Sequence, residues 1–188
     1  LGAIGACVLF VDTPLARAMP GWIDGNAAIA VLERIAYHMG EWTLAPVLLG
    51  IVLIVAGRRW WYFLFTFTFA YLVQAGSVEA IKWLSGRPRP RELGGATIFC
   101  GPGVHEHSFP SGHAAFAFMF AAMLSAWWPR GKVLWYSLAI YVALSRMVAN
   151  AHFLSDIIMG GLIGVLSALL ILWRWPPPRR AEEPVAQE

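Results

Sequence analysis

The feature that most constrains this chain is a series of apolar blocks, each roughly as long as a membrane is thick. Since a helix rises about 1.5 Å per residue, about 20 residues cross a hydrocarbon core of roughly 30 Å. With 59% hydrophobic and 13% charged residues, the 188-residue chain leaves no room for a sizeable soluble domain. The sequence therefore predicts an all-α, polytopic membrane helix bundle, with spans at 42–56, 60–84, 110–128, 133–151 and 156–173.

Shorter segments lie on either side of these blocks. Residues 1–11 are apolar but too short to span, and we interpret them as the end of a first transmembrane helix whose start is either missing or lies among the lipid headgroups. This makes six spans in all. Residues 12–21 contain two prolines and are expected to form a loop. Residues 1–175 are thus predicted to form one membrane-embedded domain, and the Pro-rich residues 176–188 a disordered cytoplasmic tail.

Residues 22–40 predict a short amphipathic helix. Glu33 and Arg34 would face away from its apolar side. That apolar side is expected to pack against the bundle, although the pattern also suits a helix lying in the membrane interface. Its members recur at helical spacing and are Val31, Leu32, Ile35 and Met39.

Two pairs of small residues are also informative. Gly160 and Gly164 form a small-xxx-small face in the last block, which would let a neighbouring helix approach closely. The two cysteines, Cys7 and Cys100, lack metal-binding spacing; they could pair if both lie on an oxidising side of the membrane, but two free thiols are expected.

Alternation of the spans sets the expected orientation. With a cytoplasmic tail, seven Lys and Arg residues lie inside and seven outside, so the raw count does not decide. Setting aside Lys82, Arg89 and Arg146, which lie in polar clusters, leaves an inner excess. We therefore expect a multi-pass membrane protein whose polar clusters face the outside. Its small size and short loops indicate a bacterial inner membrane, with the clusters on the periplasmic side. The net charge of +3 gives no case for a nucleic-acid partner, and the oligomeric state stays open.

The most informative polar cluster lies at residues 145–156, in a stretch otherwise apolar enough to enter a membrane. It holds Arg146, His152 and Asp156. The four-residue spacing of His152 and Asp156 would place them on one face of a helix. A carboxylate that holds one imidazole nitrogen leaves the other nitrogen able to attack or to take a proton.

Two further clusters fall on the same predicted side of the membrane. Residues 82–90 carry Lys82 and Arg89, the latter held between two prolines. Residues 108–113 place Ser111 and Gly112 at a helix start, where free N–H groups favour anions. Together the three clusters suit a phosphate, whose charge Lys82, Arg89 and Arg146 would neutralise while Ser111 and Gly112 donate hydrogen bonds.

The histidines then supply the chemistry of phosphoryl transfer. His152 would attack phosphorus and become a phosphohistidine, with Asp156 orienting the imidazole. His113 would protonate the leaving oxygen and later activate water. The cationic charge is sufficient that no metal or other cofactor is required.

These clusters resemble the three signature motifs of the type 2 phosphatidic acid phosphatase superfamily. The matching elements are Lys82 and Arg89-Pro90 with six residues between Lys82 and Arg89, the run Pro110-Ser111-Gly112-His113, and Ser145-Arg146 with five residues between Arg146 and His152 and three more between His152 and Asp156. The resemblance implies a six-helix membrane bundle and a metal-independent phosphatase with the site residues named above. It also implies a lipid phosphate substrate such as phosphatidic acid, phosphatidylglycerophosphate, undecaprenyl pyrophosphate or lipid A.

Several alternatives stay open at this level. A metal hydrolase would use His105, Glu106, His107 and His113, and a serine hydrolase would use Ser111 or Ser145 with His152. A vanadate-dependent haloperoxidase-like protein would hold vanadate in the same pocket, and a transporter or non-catalytic membrane protein would need none of this chemistry. Glu79 is expected to pair with Lys82 or a nearby arginine. The choice of lipid, and of monoester or pyrophosphate, is not determined.

Overall fold

The computed structural model describes residues 2–19, 26–39, 59–92, 97–102 and 107–178. Within these ranges every regular element is helical and no strand occurs, which confirms the predicted all-α class. A π-helical turn, Cys7–Val11, and two 3₁₀ turns, Pro90–Glu92 and Pro129–Gly131, complete the described elements. The helices are α1 (Gly2–Ala6), α2 (Asp12–Ala18), α3 (Ala27–Met39), α4 (Trp60–Ser85), α5 (Gly112–Trp127), α6 (Lys132–Val148) and α7 (Leu154–Arg174).

Two helices in the described part of the chain, α4 and α7, are long and apolar enough to cross a membrane. Their bounds match the predicted spans at 60–84 and 156–173. The predicted spans at 110–128 and 133–151 correspond to the shorter helices α5 and α6, and α6 stops at Val148. The predicted span at 42–56 lies outside the described residues. The structure thus supports the helix order, and two of the described helices have the length and apolarity of a membrane span.

α5 packs closely on α7 because two glycines of α7 bring the backbones together. A Cβ at Gly160 would collide with the carbonyl oxygen of Ser111, and one at Gly164 with that of Ala115. This confirms the small-residue face expected from the sequence. Near the C-terminal ends of α5 and α7, these two helices and α4 form the main apolar core. It contains Phe63, Ala70, Met119, Ala122, Met123, Ala168 and Ile171.

The N-terminal segment differs from its prediction. The expected loop at 12–21 is wrong over most of its described part, since Asp12–Ala18 is helical and continues from the π-helical turn. Asp12 is only 1% exposed. A carboxylate can lie in the interior here because buried donors from elsewhere in the chain bind both of its oxygens. Cys7 and Cys100 are free thiols, as predicted.

The amphipathic helix forms as α3, but its faces are oriented differently from the prediction. Val31, Leu32 and Ile35 are 59%, 51% and 49% exposed, so they do not pack in the bundle. Glu33, expected to face elsewhere, points at the bundle and pairs with a buried arginine of α6. The side chain of Met39 lies outside the described residues. The apolar face of α3 is therefore an outer face.

The outward surfaces of the long helices are apolar as well. On α7 the exposed side chains recur every three or four residues and form one stripe along the helix; they are Ile158, Leu162, Leu166, Leu169, Leu170 and Trp173. Beyond α7, the carbonyls of Pro176 and Pro178 accept hydrogen bonds from Tyr62 and Arg59 at the start of α4. The first residues of the expected disordered tail are thus docked, and 179–188 lie outside the described residues.

Candidate active site

Three sequence-distant polar segments meet at one end of the helix bundle. The Ser85 hydroxyl at the end of α4 donates to the carbonyl of Phe109, at 2.9 Å. The amide of Ser111, just before α5, donates to the carbonyl of Asp156 in the first turn of α7, at 3.0 Å. The amide of Ser108 donates to the carbonyl of Arg87, at 2.8 Å. The convergence predicted from the order of the spans is therefore observed.

The connection from α6 to α7 holds His152. Asn150 adopts the left-handed conformation, with φ of +50°, and reverses the chain after the end of α6. The amides of Ala151 and His152 then donate to the carbonyl of Arg146, at 3.0 and 3.2 Å. His152 is 6% exposed. Its backbone is thus fixed by two hydrogen bonds around the turn.

A backbone carbonyl sets the orientation of the His152 ring. Nδ1 lies 2.8 Å from the carbonyl oxygen of Ser108. Because a carbonyl oxygen only accepts hydrogen bonds, Nδ1 carries the proton, and in the neutral ring Nε2 keeps its lone pair. The ring is therefore held in the tautomer that a nucleophile at Nε2 needs.

Asp156 reaches His152 by a different geometry from the expected one. His152 precedes α7, which begins at Leu154, so the two residues do not share a helix face. Asp156 instead caps α7: its Oδ2 accepts from the amide of Phe153 at 2.9 Å and from the hydroxyl of Ser108 at 2.5 Å. The same Oδ2 lies 3.6 Å from Nδ1 of His152. At this distance the carboxylate acts on the imidazole mainly through its charge. The direct hydrogen bond to the ring is made by the backbone carbonyl of Ser108, which accepts from Nδ1.

A buried arginine from the segment 82–90, to which the sequence analysis gave no role, joins this carboxylate to the N-terminal helix. Arg87 is 0% exposed, and its Nη1 pairs with Oδ1 of Asp156. Its Nη2 lies 2.7 Å from Oδ2 of Asp12 on α2. Ser155 links the two ends, since its hydroxyl accepts from Arg87 at 2.7 Å and donates to Asp12. We call Asp12, Arg87, Ser155 and Asp156 the Arg87 cluster.

Aromatic rings cover the guanidinium of the Arg87 cluster. The Cζ atom of Arg87 lies 3.9 Å from the centroid of Phe153 and 4.8 Å from that of Phe99. With two carboxylates and one guanidinium, the cluster carries a formal charge of −1 beside His152. The only sequence signal for the cluster was an aspartate directly after an apolar helix, and nothing in the sequence paired it with Arg87.

The start of α5 and the end of α4 bring three more predicted residues together. Ser111 caps α5 by accepting from the amide of Ala114, at 3.4 Å. Nζ of Lys82 lies 3.7 Å from the position that a Cβ on Gly112 would occupy. Lys82 also pairs with Glu79 at 2.8 Å, as the sequence analysis expected. A cation and a helix N-terminus thus adjoin, which favours an anion between them.

Arg146 lies in the last turn of α6. It is 3% exposed, and its Nε donates to the hydroxyl of Ser145, at 3.1 Å. Its Nη2 lies 2.7 Å from Oε1 of Glu33, and its Cζ lies 4.9 Å from the ring centroid of Tyr37, both on α3. The ring of Tyr37 is also 5.4 Å from that of His113. The contribution of α3 was missed in the sequence analysis.

The segment that carries Arg89 is attached to the loop that holds His152. The amide of Arg91 donates to the carbonyl of Asn150, at 3.2 Å, and the amide of Arg89 donates to the carboxylate of Glu92, at 2.9 Å. The side chain of Arg89 is half-buried. All the predicted site residues therefore lie on segments that meet at this end of the bundle.

The rival sites find less support. No group of three or more His, Cys, Asp or Glu side chains that could hold a metal occurs in the part of the chain that the structure describes, and His105 and Glu106 fall outside it. Neither candidate serine bonds to His152, because Ser111 caps α5 and the Ser145 hydroxyl donates to the carbonyl of Val142. The described residues thus offer His152 itself as the candidate nucleophile.

The sequence of this chain is similar to those of several curated proteins. A lipid A 1-phosphatase of Porphyromonas gingivalis is 30% identical over 123 residues, which are 62% of this chain and 24% of the relative. The chain spans less than half the length of this and two other curated relatives that it matches. The match is therefore confined to a part of those longer proteins.

Two solved structures share the fold. Aquifex aeolicus LpxE superposes with a TM-score of 0.65 at 26% identity, covering 79% of this chain and 87% of that one. A transmembrane PAP2-type phosphatidylglycerolphosphate phosphatase from Bacillus subtilis gives a TM-score of 0.61 at 22% identity, covering 92% and 90%, and shows the fold alone. The family model described as the PAP2 superfamily matches residues 59–180, which include all three polar clusters. The chain belongs to the PAP2 superfamily.

Proposed function

We propose that this chain is an integral membrane phosphatase that hydrolyses a phosphate ester of a lipid through a phosphohistidine at His152. The observation that carries the proposal is the 2.8 Å hydrogen bond from Nδ1 of His152 to the carbonyl of Ser108. It leaves Nε2 unprotonated in the neutral ring, as an in-line nucleophile requires. Two of the curated relatives are phosphatases by their names, which supports the same reaction class.

In the first step Nε2 of His152 would form a bond to phosphorus as the bond to the lipid oxygen breaks. His113 would donate a proton to that leaving oxygen, so the lipid alcohol departs neutral. The phosphoryl group then resides on His152 as a phosphoramidate whose ring carries positive charge. The formal charge of −1 on the Arg87 cluster would stabilise that ring.

In the second step water would release the phosphate. His113, now neutral, would take a proton from water as the water oxygen attacks phosphorus, and the bond to Nε2 would break. Inorganic phosphate leaves and His152 returns to its starting form. Negative charge on the equatorial oxygens would be balanced in both steps by Lys82, Arg89 and Arg146, while Ser111 and the amide of Gly112 donate hydrogen bonds.

The membrane assignment rests on the exposed apolar faces of α4 and α7 and on the family. Six spans would comprise the helical run 2–18, the apolar segment 42–56, and helices α4 to α7. A cytoplasmic C-terminus would place the site on the periplasmic side of a bacterial inner membrane. Candidate substrates are phosphatidylglycerophosphate, phosphatidic acid, undecaprenyl pyrophosphate and lipid A, since one cationic pocket accepts either a monoester or a pyrophosphate.

Phosphate release by the purified chain in detergent, with EDTA present, tests the proposal across these four lipids. His152→Ala should lower turnover by roughly 10⁴-fold or more, because it removes the nucleophile. The wild type, mixed rapidly with labelled lipid and quenched with alkali, should retain label on the protein. That label should be lost in acid, as for a phosphoramidate.

His107→Ala is the matched control, since it removes a half-buried histidine to which no role is assigned. It should keep turnover close to that of the wild type. Appreciable turnover in a folded His152→Ala variant would contradict the covalent mechanism. Activity that disappears with EDTA and returns with zinc would indicate a metal hydrolase instead.

A further inference from the structure

Arg146, assigned above to the phosphate, already holds a carboxylate in this structure. Its Nη2 lies 2.7 Å from Oε1 of Glu33, and the side chains of the two residues are 4% and 24% exposed. The same nitrogen lies 3.5 Å from the backbone carbonyl oxygen of Glu33. Glu33 is thus the more exposed member of a pair that occupies donors of the arginine.

The same face of α3 touches a second residue of the proposed site. Tyr37 lies one turn after Glu33, so the two side chains share a helix face. Its ring centroid is 4.9 Å from Cζ of Arg146 and 5.4 Å from the ring of His113. Ala36, between them, is wholly buried. One face of α3 therefore covers a residue of α6 and a residue of α5.

The other face of α3 is apolar and exposed, formed by Val31, Leu32 and Ile35. The helix is attached to α6 by a hydrogen bond of 2.5 Å from the hydroxyl of Tyr141 to the carbonyl of Leu32. This division suits a helix lying at a membrane interface. α3 thus has one face on the proposed site and one face available to lipid.

A phosphate bound to Arg146 would compete with this carboxylate. Carboxylate and phosphate oxygens use the same N–H donors of a guanidinium. Two anions on one guanidinium would also lie within a few ångströms of each other and repel, and the repulsion is stronger away from bulk water. We propose that Glu33 is a latch that holds Arg146 while substrate is absent and is displaced, together with the polar face of α3, when phosphate binds.

This inference rests on the proposed function, because it takes Arg146 as a phosphate ligand. It has consequences for substrate binding and for the release of inorganic phosphate. While Glu33 occupies Arg146, only the open fraction of molecules binds an anion, so the apparent affinity falls by that fraction. Inorganic phosphate carries the same charge as the substrate phosphate. The return of Glu33 to Arg146 would therefore assist product release.

Glu33→Gln tests the latch, because it keeps the shape of the side chain and removes its charge. Orthovanadate binding to the purified chain in detergent, followed by calorimetry, measures anion affinity without turnover. The variant should bind vanadate with a dissociation constant roughly tenfold lower, as expected for a latch closed in about nine molecules of ten. The inhibition constant of inorganic phosphate should fall by the same factor. Arg34→Gln, at the next exposed position of α3, should change neither constant.

Glu33→Asp separates charge from shape. It keeps the carboxylate and should bind vanadate about as weakly as the wild type; tightening equal to that of Glu33→Gln would contradict charge competition. Unchanged or weaker vanadate binding in Glu33→Gln, with normal lipid turnover in the wild type, would overturn the latch alone and make Glu33 a positioning residue for Arg146. Failure of the wild type both to bind vanadate and to release phosphate would overturn the latch and the phosphatase proposal together.

Discussion

Two arginines near His152 are almost completely buried, and their surroundings differ. Arg87 is 0% exposed and lies between Asp12 and Asp156, whose side chains are also 0% exposed. Arg146 is 3% exposed and pairs with Glu33, whose side chain is 24% exposed. One guanidinium is thus enclosed by two interior anions, and the other is held by an anion at the edge of the site.

This difference decides what each arginine can do. An incoming anion at Arg87 would have to displace interior carboxylates and leave their charge uncompensated, which is costly. At Arg146 the displaced carboxylate is partly exposed and would be solvated on release. Buried arginine by itself therefore does not mark a phosphate ligand. The exposure of the paired carboxylate separates a structural guanidinium from one available to substrate.

The largest expected effect comes from breaking the enclosed arginine. Arg87→Met should lower the free energy of unfolding by about 3–5 kcal/mol, because two buried carboxylates lose their cation. Thermal or denaturant unfolding in detergent measures the loss. Activity should disappear together with the fold, since Asp156 and the loop that holds His152 depend on this pair.

Arg91→Met provides the control, because the Arg91 side chain is 55% exposed and its nearest carboxylate contact, to Glu92, is 3.9 Å. Its stability should change by no more than about 0.5 kcal/mol. A stable Arg87→Met protein would show that the two carboxylates are protonated or hydrated, which would undermine the charge assigned to the cluster.

The arginine at the edge of the site should behave in the opposite way. Arg146→Met should lower kcat/KM by roughly 10²–10³-fold, the usual loss when one charged donor to a transition state is removed. The free energy of unfolding should fall far less than in Arg87→Met, because the Glu33 carboxylate can be solvated when it loses its partner. Arg130→Met, an exposed arginine in the 3₁₀ turn at the far end of the bundle, should leave both quantities unchanged. If Arg146→Met lost as much stability as Arg87→Met, Arg146 would be an arginine that holds the fold together rather than one available to substrate.

Much of the fold, and the meeting of the predicted site residues at one end of the bundle, follow from the sequence. The bounds of α4 and α7 are correct to within two residues, because long apolar runs with charged ends leave few alternatives. The close approach of α5 to Gly160 and Gly164 was also predictable, because small residues four apart form a single smooth face. The meeting of Lys82, Ser111 and His152 at one end follows from the alternation of the helices.

Other parts depend on contacts that the sequence does not encode locally. Arg87 and Asp12 are 75 positions apart, and nothing near either residue indicates its partner. The spacing of His152 and Asp156 suggested one helix, whereas Asp156 caps a helix that begins after His152. Glu33 was assigned to an outer face because apolar side chains usually face the bundle. In a membrane protein the apolar side of an interfacial helix can face lipid, and this reverses the rule.

The smallest expected effect sharpens the comparison of the two arginines. Asp12→Asn removes one carboxylate from Arg87 but keeps an oxygen that can accept from the amide of Ser155, so unfolding should become easier by about 1–2 kcal/mol. Turnover should fall only a few-fold, because Asp156 keeps its other donors. Vanadate affinity should stay at the wild-type value, whereas Glu33→Gln raises it. Tighter vanadate binding in Asp12→Asn would mean that Arg87 also receives anions once a carboxylate is removed, and exposure would then no longer separate the two arginines.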